Sequence, residues 1–202
     1  MSKKVLLWMF LFPLLLFSQN AESVLKMARE KFNSLDSFSA QFELITFREG
    51  SEGTKLRGKF FFKQKEKYRV ELPNSTIVSV KDTIWNFEKK RKQIVITLKE
   101  GTTTFFDLKK LLFDYTEKFK IQLVNGSEGV KYLLEFRPKS AEADFKTALV
   151  GFDEKYLPVS VKINTKRGAV VKLNFSGFVF NRVKDTLFSW RSLPKGKIID
   201  LR

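Results

Sequence analysis

The chain has 202 residues, 38 Lys and Arg against 22 Asp and Glu, a formal charge of +16, and neither histidine nor cysteine. Without cysteine there is no disulfide framework and no thiol for lipid attachment, and without either residue the usual general base, thiol nucleophile and common transition-metal ligands are missing. A chain of this length can bury one sizeable core, and its excess of cations favours anionic surfaces.

Met1–Ser18 begins with Lys3 and Lys4 and continues as an apolar run from Val5 to Phe17 broken only by Pro13. Charge followed by a short apolar stretch is the grammar of an export signal, and the run is shorter than the roughly 20 residues of a spanning helix. The expectation is a removable signal at 1–18 and a single domain at 19–202. Taking Lys3 and Lys4 from +16 leaves +14 on that domain. Export makes nucleic acid a poor partner, and no basic helix or zinc-binding pattern supports one.

From Asn20 to Leu35 the residues Val24, Leu25, Ala28, Phe32 and Leu35 recur at helical spacing, with Asn20 in the N-cap position and Glu22 in the first turn. The period then becomes two. Phe38, Ala40, Phe42 and Leu44 share one face, Leu56, Gly58, Phe60 and Phe62 another, and Tyr68, Val70 and Leu72 follow. Further alternating stretches cover 77–80, 83–87, 93–98, 119–124, 130–137, 146–152, 157–165 and 169–178, separated by turn residues such as Pro73-Asn74, Asn125-Gly126 and Arg167-Gly168. These are about eleven strands. One stretch interrupts them: Phe105, Leu108, Leu111 and Leu112 return to helical spacing, and a helix there must lie over a face or mouth of the sheet.

The expected fold is therefore α+β but mostly β: a single, strongly curved antiparallel sheet forming an incomplete barrel, with an N-terminal helix and a mid-chain helical lid. The chain has 22 phenylalanines, and most of those beyond the expected signal fall on the alternating apolar face of predicted strands. A sheet so wide curls, and its apolar face becomes an inside too large for its own side chains to fill readily. Such an aromatic interior suits an acyl chain, although an ordinary packed core fits the same alternation.

The order of short motifs adds a likeness. Ser37-Phe38-Ser39-Ala40-Gln41-Phe42 after a helix, Gly58-Lys59-Phe60-Phe61-Phe62-Lys63, Lys67-Tyr68-Arg69-Val70-Glu71, the stretch from Ile77 to Phe87 with its Trp85, Leu134 to Lys139, and Phe188-Ser189-Trp190 with Pro194-Lys195-Gly196 stand in that sequence along the chain. Together they resemble the LolA family of outer-membrane lipoprotein carriers. The resemblance implies a periplasmic, non-enzymatic and monomeric carrier without cofactor or metal, with a cavity for lipoprotein acyl chains. It also implies an ATP-driven inner-membrane transporter as donor, an outer-membrane acceptor, and transient contact with membrane surfaces. Phe38, Phe42, Phe60, Phe62, Tyr68, Trp85, Phe87 and Phe136 would line the cavity, and Leu108, Leu111 and Leu112 would form the lid. Many members carry Lys-Arg-Pro after the second strand, its arginine bonding the lid helices; here the stretch reads Lys63-Gln64-Lys65, so Gln64 holds the latch position. That function could instead move to Lys63, Lys65 or Arg69.

Rival readings are a lipid-binding or envelope-sensor module of the same shape, or a basic adaptor using Lys89, Lys90, Arg91 and Lys92 on anionic lipid or lipopolysaccharide. An enzyme is the weakest rival, because Glu142, Asp144, Asp153 and Glu154 fall in predicted turns or strand edges among lysines.

Overall fold

The computed structural model describes residues 20–48, 51, 53–64, 66–99, 118–126, 129–141, 143 and 145–202. The expected signal, the lid residues Leu108, Leu111 and Leu112, and the carboxylates Glu142 and Asp144 lie outside them.

The helix α1 (Ala21–Ser34) starts as its sequence requires. The Asn20 side chain accepts from the Ser23 N–H at 2.8 Å while the Ser23 hydroxyl oxygen accepts from the Asn20 N–H at 3.2 Å, a reciprocal cap that satisfies two otherwise unpaired donors. Its apolar stripe, Val24, Leu25, Ala28 and Phe32, is buried.

Twelve strands follow among the described residues: β1 (Ser37–Arg48), β2 (Thr54–Lys63), β3 (Lys67–Glu71), β4 (Ser75–Val80), β5 (Thr83–Glu88), β6 (Gln93–Leu98), β7 (Phe119–Val124), β8 (Tyr132–Pro138), β9 (Phe145–Phe152), β10 (Pro158–Thr165), β11 (Ala169–Phe180) and β12 (Lys197–Asp200). They form one sheet in the order β12-β6-β5-β4-β3-β2-β1-β11-β10-β9-β8-β7, open at its two ends. The chain winds outward from β1 to β6, crosses to the far edge, and returns from β7 to β11 against β1. The register of β1 and β11 shifts between Ser39 and Gln41, and Gly177 supplies a φ of +62° in the facing stretch, a left-handed conformation that costs glycine least.

The expectation of about eleven antiparallel strands misses β12, which has only 4 residues and pairs parallel to β6. So short a segment shows no period, and its partner lies a hundred residues away.

The sheet bends toward α1. Phe32 of the helix packs at 4.7 Å on Phe62 of β2, and the helix also meets β7, six strands further on. On a flat sheet those strands would lie about 29 Å apart, more than the about 21 Å length of a 14-residue helix. One continuous core follows, drawing buried residues from α1, β1–β3 and β7–β11.

A second, smaller core lies on the other side of β4–β6. There Val78, Phe87, Ile94 and Ile96 pack with Leu193 of the C-terminal segment, flanked by Val80 and Trp85. That segment forms two short 3₁₀ turns, Asp185–Phe188 and Trp190–Ser192, before it joins the sheet as β12. Arg69, 8% exposed, fastens it: its guanidinium donates to the Leu187 carbonyl at 3.1 Å and the Ser192 hydroxyl at 2.9 Å, and pairs with Glu71 at 2.8 Å. Lys67 adds a 2.8 Å ion pair to Asp185.

Candidate functional site

Register fixes the face of every strand side chain, because cross-strand partners point the same way. One row across the inner face runs Phe38, Phe62, Tyr68, Ser79, Ile84, Thr97 from β1 to β6. The next runs Ala40, Phe60, Val70, Ile77, Asn86, Val95. In the other direction the inner face continues through Phe175 and Leu173, Val161, Val150 and Leu134.

Six of the eight aromatic residues expected to line a cavity meet on this face. Phe38, Phe42, Phe60, Phe62, Tyr68 and Phe136 are all buried in the larger core. Four of these rings form a continuous contact set with two more: Phe38 lies 5.3 Å from Phe62 and 5.8 Å from both Phe60 and Phe178, and Phe60 lies 6.3 Å from Tyr68 and 6.0 Å from Phe175. Phe175 and Phe178, absent from the expected set, belong to it because β11 returns beside β1.

Trp85 and Phe87 are not with them. Their partners Val78 and Thr76 pair in turn with Arg69 and Glu71, which places all of these on the outer face, where Phe87 and Val78 belong to the smaller core and Trp85 packs against it. The expectation that they share the wall with Phe60 is therefore corrected. The reason is physical: β5 carries apolar side chains on both faces, Ile84 inward and Trp85 and Phe87 outward, since both faces of β4–β6 are covered, and alternation alone cannot tell which is which.

The latch position is occupied in an unexpected way. The Gln64 side-chain amide donates to the Leu35 carbonyl at 2.9 Å, with the Phe32 and Asn33 carbonyls at 3.4 and 3.5 Å. The Asn33 and Leu35 carbonyls belong to the end of α1, where intrahelical partners run out, while the Phe32 carbonyl also accepts from the Leu35 N–H at 3.2 Å. The Gln64 N–H donates to the Asp36 carbonyl at 2.9 Å, and Lys63 lies 3.4 Å from the Asp36 carboxylate. The helix that covers the aromatic face is thus fastened at its C-terminal end to the end of β2. Arg69 is committed to the C-terminal segment on the opposite face, so a latch moved there is excluded; Lys65 lies outside the described residues.

Several charged groups elsewhere have local partners. Lys89 donates to the Leu72 and Pro73 carbonyls at 3.1 and 2.9 Å, and Arg91 pairs with Glu88 at 3.3 Å. Asp153 accepts from the N–H groups of Lys155 and Leu157 at 2.9 and 2.8 Å, closing a turn. Hydrogen bonds from Lys55 and Arg57 hold the Glu43 carboxyl below its ordinary range, and Arg137 does the same to Glu135. Among the described residues no group of acidic side chains is placed to hold a metal ion, and no helix is long and apolar enough to cross a membrane.

Comparison with known proteins bears on the same features. The family model "Outer membrane lipoprotein carrier protein LolA" matches residues 33–191. An uncharacterized conserved protein from Thermus thermophilus is similar in structure with a TM-score of 0.61 at 14% identity, covering 89% of this chain and 98% of that one. The structure of the Pseudomonas aeruginosa MucA/MucB complex gives a TM-score of 0.52 at 15% identity, with 85% of this chain and 61% of that chain covered. A LolA superfamily protein from Nitrosomonas europaea gives 0.48 at 16% identity, over 87% and 100% of the two chains. The first two share the fold of this chain. No curated protein sequence matches.

Proposed function

The chain belongs to the LolA family of outer membrane lipoprotein carrier proteins, and from that membership we propose that it binds the acyl chains of lipoproteins and carries them across the periplasm, from the inner membrane to the outer. It does so by binding alone, without chemistry. A signal at Met1–Ser18 exports it, an ATP-driven transporter of the inner membrane loads it, and an acceptor at the outer membrane unloads it.

The observation that carries this reading is an aromatic inner face covered by a helix that can compete with cargo for it. Each acyl CH₂ removed from water contributes about 0.8 kcal/mol, so a whole chain on an open face would be held too tightly for transfer. Lifting α1 re-exposes Val24, Leu25 and Phe32, at about 1.5–3 kcal/mol apiece, and breaks the bonds from Gln64. That opposing cost brings the net affinity down to a transferable level.

The test is to express the full chain with its signal, isolate it from the periplasm under native conditions and weigh what accompanies it by mass spectrometry. A bound triacylated protein supports the carrier. An acyl-free protein partner would favour instead a binding module, the reading that draws on the likeness to MucB in its complex with MucA. A chain that returns with no lipid or lipoprotein, and takes up neither when offered, would sink the proposal.

A further inference from the structure

The inner face is not uniformly apolar. Over β1, β2 and β11 it presents phenylalanine, while over β3–β5 the same rows present Tyr68, Ser79 and Asn86. Tyr68 and Ser79 are direct cross-strand partners, and Asn86, opposite Ile77, is the diagonal neighbour of Ser79. Tyr68 is 5% exposed and Ser79 0%. Yet the Tyr68 hydroxyl, the Ser79 hydroxyl and the Asn86 side-chain oxygen are buried without any hydrogen-bond partner.

Three unpaired polar atoms on adjoining positions of one buried face call for an explanation. A buried hydroxyl without a partner detracts from folding, and Phe for Tyr68 or Ala for Ser79 would pack as well with no such loss. The ammonium of Lys99 stands 5.9 Å from the Tyr68 ring, so the same end of the face also meets a cation. The grouping has the composition of a polar subsite at one end of a greasy one: two hydroxyls able to donate and an amide oxygen able to accept.

Resting on the acyl-carrier reading, we propose that Tyr68, Ser79 and Asn86 form the polar end of the cargo site and take the glycerol ester linkage from which the acyl chains hang. The tails lie toward Phe38, Phe60, Phe62 and Phe178. The hydroxyls of Tyr68 and Ser79 donate to ester carbonyls, and the Asn86 oxygen accepts an O–H or N–H of the head. The subsite thereby fixes which way round the cargo lies, and it discriminates an acyl ester from an equally long hydrocarbon.

The full chain is titrated with 1-palmitoyl-glycerol and with its ether analogue 1-hexadecyl-glycerol, which lacks only the ester carbonyl. The native protein should prefer the ester by about fivefold to tenfold, the worth of one or two modest hydrogen bonds. Ser79→Ala and Tyr68→Phe should each erode that preference while leaving ether binding unchanged. Because the deleted groups have no partner within the protein, both variants should melt no lower than the native chain; a clear drop would overturn the premise. Equal affinity for ester and ether, or equal weakening of both by the substitutions, overturns the subsite while the acyl-carrier reading stands. Binding of neither compound to the native chain overturns both. A diacylglyceryl peptide and phosphatidylglycerol both carry the linkage, and running each against the same variants separates the sources. Sensitivity to Ser79→Ala with either supports the subsite, and sensitivity with neither overturns it.

Discussion

Gln64 and Leu35 are joined by a 2.9 Å hydrogen bond from a side-chain amide on the end of β2 to the carbonyl that closes α1. It ties the covering helix to the sheet with a neutral donor. Gln64→Ala should cost about 1 kcal/mol of stability, the net worth of such a bond, and free the last turn of α1. Amide exchange at Phe32–Leu35 should accelerate, and acyl-probe uptake should quicken with it. Gln64→Arg, with a charged fork of donors, should do the reverse and slow uptake. Unaltered uptake in both variants would separate this bond from gating.

Gly58 and Phe42 face one another across β1 and β2, and the ring of Phe42 lies where a side chain at 58 would stand. A Cβ there would collide with the Glu71 carbonyl oxygen and come within 2.6 Å of Phe42 Cζ. The backbone oxygen belongs to the next strand and cannot step aside. Gly58→Ala should lose about 1–3 kcal/mol through overpacking, seen as a lower urea midpoint at an unchanged slope.

Tryptophan emission distinguishes the two faces. Trp85 lies in the outer core and Trp190 in the C-terminal segment, so acyl ligands should leave the native spectrum nearly unchanged. A Phe178→Trp variant places a reporter on the inner face, beside Phe38 and Phe175, and should shift to the blue on binding. A shift in the native protein equal to that in the variant would contradict this assignment of faces.

Arg69→Met removes the guanidinium that grips the Leu187 carbonyl and the Ser192 hydroxyl. The expected loss is about 2 kcal/mol, from charge-assisted bonds at a nearly buried site. Trp190 should move to longer wavelength and the chain should be cut sooner after Arg191, while acyl binding on the opposite face persists.

Acid should weaken the fold through a few surface carboxylates. Glu43 is held low by hydrogen bonds from Lys55 and Arg57, Glu135 by Arg137, and Asp200 by Arg202. A carboxyl depressed in the folded state contributes stability above its unfolded value, near 4, and loses that contribution as the pH falls through the folded value. The melting temperature should therefore drop more steeply below pH 4 in the native chain than in a Glu43→Gln, Glu135→Gln double variant.

Much of this architecture is legible in the sequence, for reasons that also mark where legibility ends. Asn20 and the Val24, Leu25, Ala28, Phe32 stripe define α1 because capping and a 3.6-residue period are local properties. Phe38, Phe42, Phe60 and Phe62 come together because alternation over long strands fixes a face. Trp85 and Phe87 mislead because alternation is silent where both faces are covered, and the cover, Leu193, is more than a hundred residues away. Gln64 stood out as a replaced arginine, yet its hold on the end of α1 depends on how the helix crosses β2, which no spacing encodes. The unpaired oxygens of Tyr68, Ser79 and Asn86 could not be foreseen at all, since being without a partner is a property of the packed molecule.

The C-terminal segment gives the sheet two unlike flanks. On the outer face, strands β4–β6 are backed by the C-terminal segment, whereas β7–β10 turn side chains such as Lys120 and Arg137 to water. Strands backed by packed side chains open less readily than strands with one face in water. Amide hydrogens of β7–β10 should therefore exchange sooner than those of β4 and β5.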